Sequence, residues 1–592
     1  MIALNSDRPI KNADILSNFP FTNIRDKQAY VLNELRAAYN SGYKFIILEA
    51  PNGFGKSPVA VAIARTLGSS YLCTATKELQ TQYSKDFPYF RVAKGKKNFP
   101  CLVKEDLIRN DTYRCRTCAS DNAIECSHTT VEDGPCKTDE SFKNRGCKYR
   151  TFLRDYRLNN NPGTGNENVS IDPGAQISYQ KAFSEWSHFN NLKEKRREWE
   201  PCGYYDQLNA ALTSIHSIFN YPIFFGLLHI LPSRELLVLD EGHLLETEIV
   251  KDMGLSISKR GWKRYIPNLD IVDYGYDDIE NWTDFLEEIN ENISSRSNVG
   301  DDDELPVEAM RDIEKLTRGI NNILSNPKKW IVSEIRKKDN DVFEVEFKPI
   351  DISPYCNDVF QKCRKTLIMS ATILNKQAFC RSVGLTQDEV KFIQVDSDFP
   401  PENRPIYPMN IAYLDHNILK LQEVKVKIAV AIDNLMTLHK NQKGIIHTTS
   451  YEQVNFIVEN ISDTNADRLL VTDPAKQRDE VIAEHANSPK PTVLISPSMY
   501  TGLDLKDELS RFQIITKVPY PNSADRWTTA KRQMDPEWYY WQTVLKFVQA
   551  YGRSIRSKED WARTYILDSA FAPLVRKNKD MFPDWVIRAI MG

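Results

Sequence analysis

No run in this sequence is both long and apolar. The longest apolar stretch, around Ile223 to Leu231, is broken by Gly226 and His229. It falls far short of the ~20 residues that span a bilayer. The first residues, MIALNSDRPIKN, lack the apolar core of a secretory signal. Both absences lead us to expect an intracellular, cytoplasmic protein with reduced thiols and no membrane partner. An excess of charge of one sign is missing too, since 77 basic and 80 acidic residues leave a net charge of −3 over 592 residues. That excludes a uniformly cationic nucleic-acid coat but not a local basic groove. Internal repeats at solenoid periods are also absent. Cysteine, by contrast, is clustered. Seven of the eleven lie between positions 101 and 202, where random placement would put about two. In a long chain without a secretion signal, such a cluster reads as metal ligands rather than cross-links.

At ~150 residues per domain, the length suggests about four units. Short apolar runs alternate with helical patterns in two blocks. KFIILEA (44–50), SYLCTAT (70–76), ELLVLDE (235–241) and TLIMSAT (366–372) form the first. GIIHTT (444–449), RLLVT (468–472), TVLISP (492–497), FQIITKVP (512–519) and RTYILD (563–568) form the second. Runs rich in Ile, Leu and Val without alternation predict parallel strands covered on both faces. Each block therefore predicts a doubly wound α/β domain. The first block is interrupted by the cysteine-bearing stretch ~99–202, which includes the loop-like NNNPGTGNENVSIDPG (159–174), and by a mostly helical pattern over ~255–350.

Residues 50–57 read Ala-Pro-Asn-Gly-Phe-Gly-Lys-Ser. This is Walker A spacing, with Ala50 where the first glycine usually sits. A predicted strand leads in and a predicted helix follows. Gly53 and Gly55 allow backbone N–H groups to turn toward phosphate, and the helix N-terminus adds its positive dipole end. Lys56 is placed to reach the β- and γ-phosphates and Ser57 to hold Mg²⁺. VLDEGHLLE (238–246) puts Asp240 and Glu241 at the end of an apolar strand. There Asp240 can bind Mg²⁺ through water, and Glu241 can orient and deprotonate the attacking water. In QAYGRSIRSKED (549–560), Arg553 and Arg556 follow Gly552. They suit stabilisation of charge on a γ-phosphate, although a solvated basic turn has the same appearance.

These motifs form an ordered set, and the chain resembles the superfamily 2 DNA helicases of the XPD/DinG type. FTNIRDKQ (21–28) is similar to the family's adenine-reading element and implicates Arg25 and Gln28. EAPNGFGKS resembles motif I, CTATKELQTQ (73–82) motif Ia, SATI (370–373) motif III and GIIHTTSY (444–451) motif IV. DEGH (240–243) stands where the family has DEAH, with Gly242 departing from that pattern. MYTGLDLKD (499–507) resembles motif V and implicates Gly502 and Asp504; QAYGRSIR (549–556) resembles motif VI and carries over Gln549, Arg553 and Arg556. The resemblance implies an α/β fold with two RecA-like motor domains, and an iron–sulfur domain and a mainly helical arch domain inserted in the first. It implies motor domain 1 over 1–98, 203–254 and 351–385, the iron–sulfur domain over 99–202, the arch over 255–350, and motor domain 2 over 386–592. It also implies ATP and Mg²⁺ as cofactors, 5′→3′ movement on single-stranded DNA, action at forked duplexes, a monomeric enzyme and a nucleoid-associated location.

KGKKNFPC (94–101) and EPCGYYDQLNAALTSIHSIFNYPIFF (200–225) resemble the family segments holding the first and last cluster cysteines. Cys101 and Cys202 are thus implied ligands of a [4Fe–4S] cluster, which needs two more. One solution adds Cys136 and Cys147, leaving Cys115, Cys118, Cys126 and His128 with zinc-compatible spacing. The other adds Cys115 and Cys118. The spare set as free thiols, without Zn²⁺, is the plain alternative.

Residues 91–118 carry eight basic against three acidic side chains, with Tyr89, Phe90, Phe99 and Tyr113 beside or among them. Cations that track phosphates and aromatics that stack bases suit a single strand, and a solvated loop with a small core has the same composition. Trp538, Tyr539, Tyr540 and Trp541 are expected to pack rather than stack bases. Two further functions compete with an ATP-dependent helicase: an iron–sulfur nuclease with an accessory ATPase, and a DNA-binding scaffold with a vestigial ATPase.

Overall fold

The computed structural model describes residues 9–101, 202–259, 270–275, 279–298, 307–339, 341–415, 418–471, 478–497, 505, 507–555 and 558–591. Its strands are β1 (Phe45–Glu49), β2 (Ser70–Thr74), β3 (Arg91–Val92), β4 (His216–Asn220), β5 (Arg234–Asp240), β6 (Leu255–Ser258), β7 (Trp330–Lys338) and β8 (Asp341–Pro349). They continue with β9 (Cys363–Ser370), β10 (Val390–Gln394), β11 (Ile406–Ala412), β12 (Gly444–His447), β13 (Leu469–Val471), β14 (Val493–Ser496), β15 (Phe512–Ile515) and β16 (Arg563–Asp568). Every apolar run expected to be a strand is one.

A seven-stranded sheet has the order β10-β1-β9-β5-β2-β4-β3. All five residues of β1 and of β2 are buried, as unalternated apolar runs require when helices cover both faces. The helix Lys56–Leu67 buries every residue from Val59 to Ala64. A six-stranded sheet has the order β11-β16-β15-β12-β14-β13, and its neighbours pair in parallel. Ile446, Ile495 and Ile514 face the helix Gln422–Leu438 through Ile428 and Ile432, while Ile445 and Leu494 face Val481 and Leu505. Sequential parallel strands need crossovers, which place helices on both faces and close each core.

The mainly helical pattern at 255–350 holds the helices Asn281–Asn298 and Val307–Ser325. With them comes an antiparallel sheet, β6-β8-β7. Its buried Ile257, Val332, Val345 and Phe347 pack with Trp282 and Ile320. The alternate residues Glu334, Arg336 and Glu344 remain outside the core and form ion pairs. Half of this sheet's residues are polar, so its strands give no continuous apolar run.

Two compact units divide the chain: Met1–Ile46 with Ser57–Ile368, and Ile47–Lys56 with Met369–Gly592. Among the described residues, no helix is long and apolar enough to cross a membrane.

Candidate active site

In the unit that contains residues 47–56, the end of β1 passes into the glycine loop. Gly53 and Gly55 have φ of 79° and 88°, the left-handed region that a Cβ disfavours and glycine enters freely. Lys56 Nζ donates to Ala50 O at 2.9 Å, inside its own loop. Ala50 N donates to Ser370 O at 3.0 Å, tying the loop to the end of β9. Glu49 is 5% exposed. Its Oε2 accepts from the backbone N–H groups of Ile373 and Leu374, both at 2.5 Å, and its Oε1 accepts from Gln394 Nε2 at 2.9 Å. Burial pushes the Glu49 carboxyl above its ordinary range, against those hydrogen bonds and the charge of Lys56.

The same unit holds motif VI. The helix Pro536–Tyr551 is capped by Asp535, whose side chain accepts from Trp538 N, with Pro536 at its first position. Gln549 is buried, and its Nε2 donates to Thr372 Oγ1 at 3.2 Å. Arg553 follows the helix, and its charge lowers the pKa of His447 on β12, after burial as the larger cause, to about 3. Arg556, Gly502 and Asp504 lie outside the described residues.

In the other unit, the end of β5, which pairs with β2, carries the acidic pair. Asp240 is 4% exposed. Its Oδ2 accepts from the Tyr83 hydroxyl at 2.9 Å and its Oδ1 from Glu241 N at 3.1 Å. The backbone O of Asp240 accepts from the Tyr221 hydroxyl at 2.9 Å. Tyr221 opens a helix capped by Asn220, with Pro222 in the first turn, so the Asn-Tyr-Pro turn fixes the height of the strand end. Burial and the Asp240 charge push the Tyr83 phenol pKa well up, against a lowering influence of the nearby Ser57 side chain. The phenol thus holds Asp240 and lies near Ser57, the two residues expected around Mg²⁺. Sequence reasoning missed Tyr83, one residue beyond the motif Ia stretch. Its helix, KELQTQYSKD, is polar and buries only Gln80 and Tyr83.

Glu241 has φ 54°, a left-handed backbone that turns its side chain off the strand. Its Oε2 lies 3.4 Å from His243 Nδ1. Gln28 is buried, and its Oε1 accepts from Arg25 N at 3.1 Å, fixing both residues at the start of the helix Asp26–Asn40.

Cys101 and Cys202 are both buried. A Cβ on Gly203 would lie 3.2 Å from the Phe99 ring, Phe99 packs edge-on against Tyr204, and Lys94 N donates to Gln207 Oε1 at 3.0 Å. The chain therefore enters and leaves the segment 102–201 at adjacent points. Two buried thiols there would fit an iron–sulfur cluster better than a hydrated cation. Cys115, Cys118, Cys126, His128, Cys136 and Cys147 lie outside the described residues. Among the described residues, no group of three His, Cys, Asp or Glu could hold a metal ion. Of the aromatics beside the basic stretch, Phe90 is core and Tyr89 is 41% exposed under Arg65; Tyr113 lies outside the described residues. Trp538, Tyr539 and Trp541 are buried, and Trp541 Nε1 donates to Ile373 O at 2.7 Å.

A family model, the helicase C-terminal domain, matches residues 432–589. The ATP-dependent DNA helicase CHL1 of Scheffersomyces stipitis is 22% identical over 290 residues, 42% of this chain and 34% of that protein. The ATP-dependent DNA helicase DinG of Photobacterium profundum is 23% identical over 244 residues, 38% of this chain and 34% of that protein. The chain spans about a third of the length of these curated relatives. A solved XPD helicase superposes with a TM-score of 0.58 at 16% identity, covering 96% of this chain and 100% of the other. An apo XPD structure gives 0.50 at 14% identity, covering 94% and 98%. The structures share the fold, with two RecA-like α/β domains. In its motifs, its C-terminal domain and its fold, the chain is similar to helicases of the XPD/DinG type.

Proposed function

We propose that the chain is an ATP-dependent DNA helicase or translocase, acting as a monomer on single-stranded DNA and forked duplexes and moving 5′→3′. The observation that carries this reading is the buried Asp240 held by the Tyr83 phenol, with the Ser57 side chain near the same phenol. The serine that ends the phosphate loop and the acid at the end of β5 thus gather around one side chain, as two residues that face one cation would. Backbone N–H groups around Gly53 and Gly55 receive the phosphates, and Lys56 exchanges Ala50 O for a phosphate oxygen. Ser57 and Asp240 would hold Mg²⁺, which would supply positive charge to the β- and γ-phosphates. Glu241, turned off its strand and half-exposed, takes the proton of the attacking water. Arg553 and Arg556 stabilise the leaving charge, Arg25 and Gln28 read the base, and Gly502, Asp504 and Gln549 complete the nucleotide site.

Cys101 and Cys202, with Cys136 and Cys147 or with Cys115 and Cys118, would hold a [4Fe–4S] cluster within an iron–sulfur domain at 99–202. Zn²⁺ on Cys115, Cys118, Cys126 and His128 belongs to the first solution only. The basic stretch beside Cys101 would meet DNA phosphates.

Strand displacement on duplexes with 5′ or 3′ tails tests the reading. We expect ATP-dependent unwinding of the 5′-tailed substrate, and Lys56→Ala should abolish both unwinding and strand-stimulated ATP hydrolysis without loss of fold. Full hydrolysis by Lys56→Ala, or strand cleavage with Mg²⁺ and no ATP, would overturn it.

A further inference from the structure

The turn at residues 370–375 is held from two sides within one unit. On one side is the Glu49 carboxylate, which immediately precedes the phosphate loop and takes the N–H groups of Ile373 and Leu374 on a single oxygen. On the other is one face of the helix Pro536–Tyr551, whose Glu537, Trp541 and Gln549 meet Asn375, Ile373 and Thr372. Those helix positions are spaced by four and eight residues, so they share a stripe. Leu374 adopts φ 66°, a left-handed backbone that a branched side chain enters only under restraint, and its N–H ends on Glu49. Burying a carboxylate to anchor a turn is costly. The cost is intelligible if the turn must stay in register with the loop next to Glu49.

We propose that Glu49 is a positioning residue for the ATPase reaction: it locks the 370–375 turn to the phosphate loop, so that the loop's occupancy is relayed through Ile373 and Thr372 to Trp541 and Gln549. This rests on the ATP-driven function proposed above. Glu49 itself touches no phosphate in this scheme; it acts as a double acceptor.

Two substitutions separate the acceptor from the charge. Glu49→Leu removes both acceptors. Glu49→Gln keeps a carbonyl oxygen for Ile373 and Leu374, and Gln394 can rotate its amide to accept from the new NH₂. The readout is the ratio of ATP hydrolysis with single-stranded DNA to hydrolysis without it, alongside binding of a fluorescent ATP analogue. The ratio does not depend on how much protein is folded, so a merely structural role leaves it unchanged. In Glu49→Leu the ratio should fall about tenfold, with nucleotide affinity within about threefold of wild type; Glu49→Gln should restore the ratio. Trp541→Phe, which loses the N–H to Ile373 O, should lower the ratio by about threefold. A wild-type ratio in Glu49→Leu overturns the proposal, as does a Glu49→Gln protein as defective as Glu49→Leu. If Glu49→Leu does not fold, a wild-type ratio in Trp541→Phe overturns it. A wild-type protein that hydrolyses no ATP rejects the parent function together with the proposal.

Discussion

The ends of β1 and β5 look alike in sequence and differ in structure. Each is a buried apolar strand that finishes in acid, FIILE at Glu49 and RELLVLD followed by Glu241. Glu49 keeps strand geometry, is almost fully buried and is satisfied by three donors. Glu241 leaves the strand through a left-handed backbone, and its side chain is 28% exposed beside His243. One carboxylate is used up as an acceptor by its own protein; the other is presented. An acid at a strand end therefore signals chemistry only when its backbone turns it out of the sheet and its oxygens are not already claimed.

The largest test of that contrast exchanges each acid for its amide. Under the proposed hydrolysis, Glu241→Gln should lower turnover about 10²–10⁴-fold, the usual range for a lost general base. Glu49→Gln should stay near wild type. Steady-state ATP hydrolysis on both proteins, with thermal unfolding as a control, checks the pair; equal losses would erase the distinction. Smaller is the effect of Tyr83→Phe. It removes the donor to Asp240 Oδ2, which should destabilise the protein by about 1–2 kcal/mol. It should also raise the Mg²⁺ concentration at half-maximal hydrolysis several-fold; an unchanged Mg²⁺ titration would detach Tyr83 from the site.

The smallest effect is a pH dependence. Because burial raises the folded pKa of Glu49, the folded state binds a proton more readily than the unfolded one. Its ionised form costs stability as pH rises through the folded pKa, and that cost disappears on acidification. Glu49→Gln lacks this proton. The stability of wild type relative to Glu49→Gln should therefore improve between pH 7 and pH 5. Other groups, such as His216, whose pKa is lowered to about 4 chiefly by burial and then by the charges of Arg234 and Arg65, are common to both proteins and cancel. Chemical denaturation of the two proteins at both pH values measures the difference.

Much of the fold was legible because its central strands hold continuous apolar runs, as in β1, β5 and β14. β4, read as HSIFN, was not. Its His216 and Ser217 are buried yet satisfied, by Ser70 Oγ at 2.9 Å and by Arg234 Nη1 at 3.0 Å, and a polar residue with a distant partner looks like a loop in sequence. Lys56, Asp240 and Glu241 announced themselves through spacing. Tyr83, Trp541 and the role of Glu49 did not, because each depends on a partner more than 150 residues away. Residues such as Gln549 and Thr372 were recognisable singly; their contact was not.

The Phe99 ring against Gly203 makes the 100 residues between Cys101 and Cys202 a cassette. A chain that departs and returns at one point asks nothing of the sheet it interrupts. Bridging the stem with about five residues would lower the entropy of closing that loop by the equivalent of about 2–3 kcal/mol. The sheet from which that segment departs can thus keep its fold whatever the segment's length.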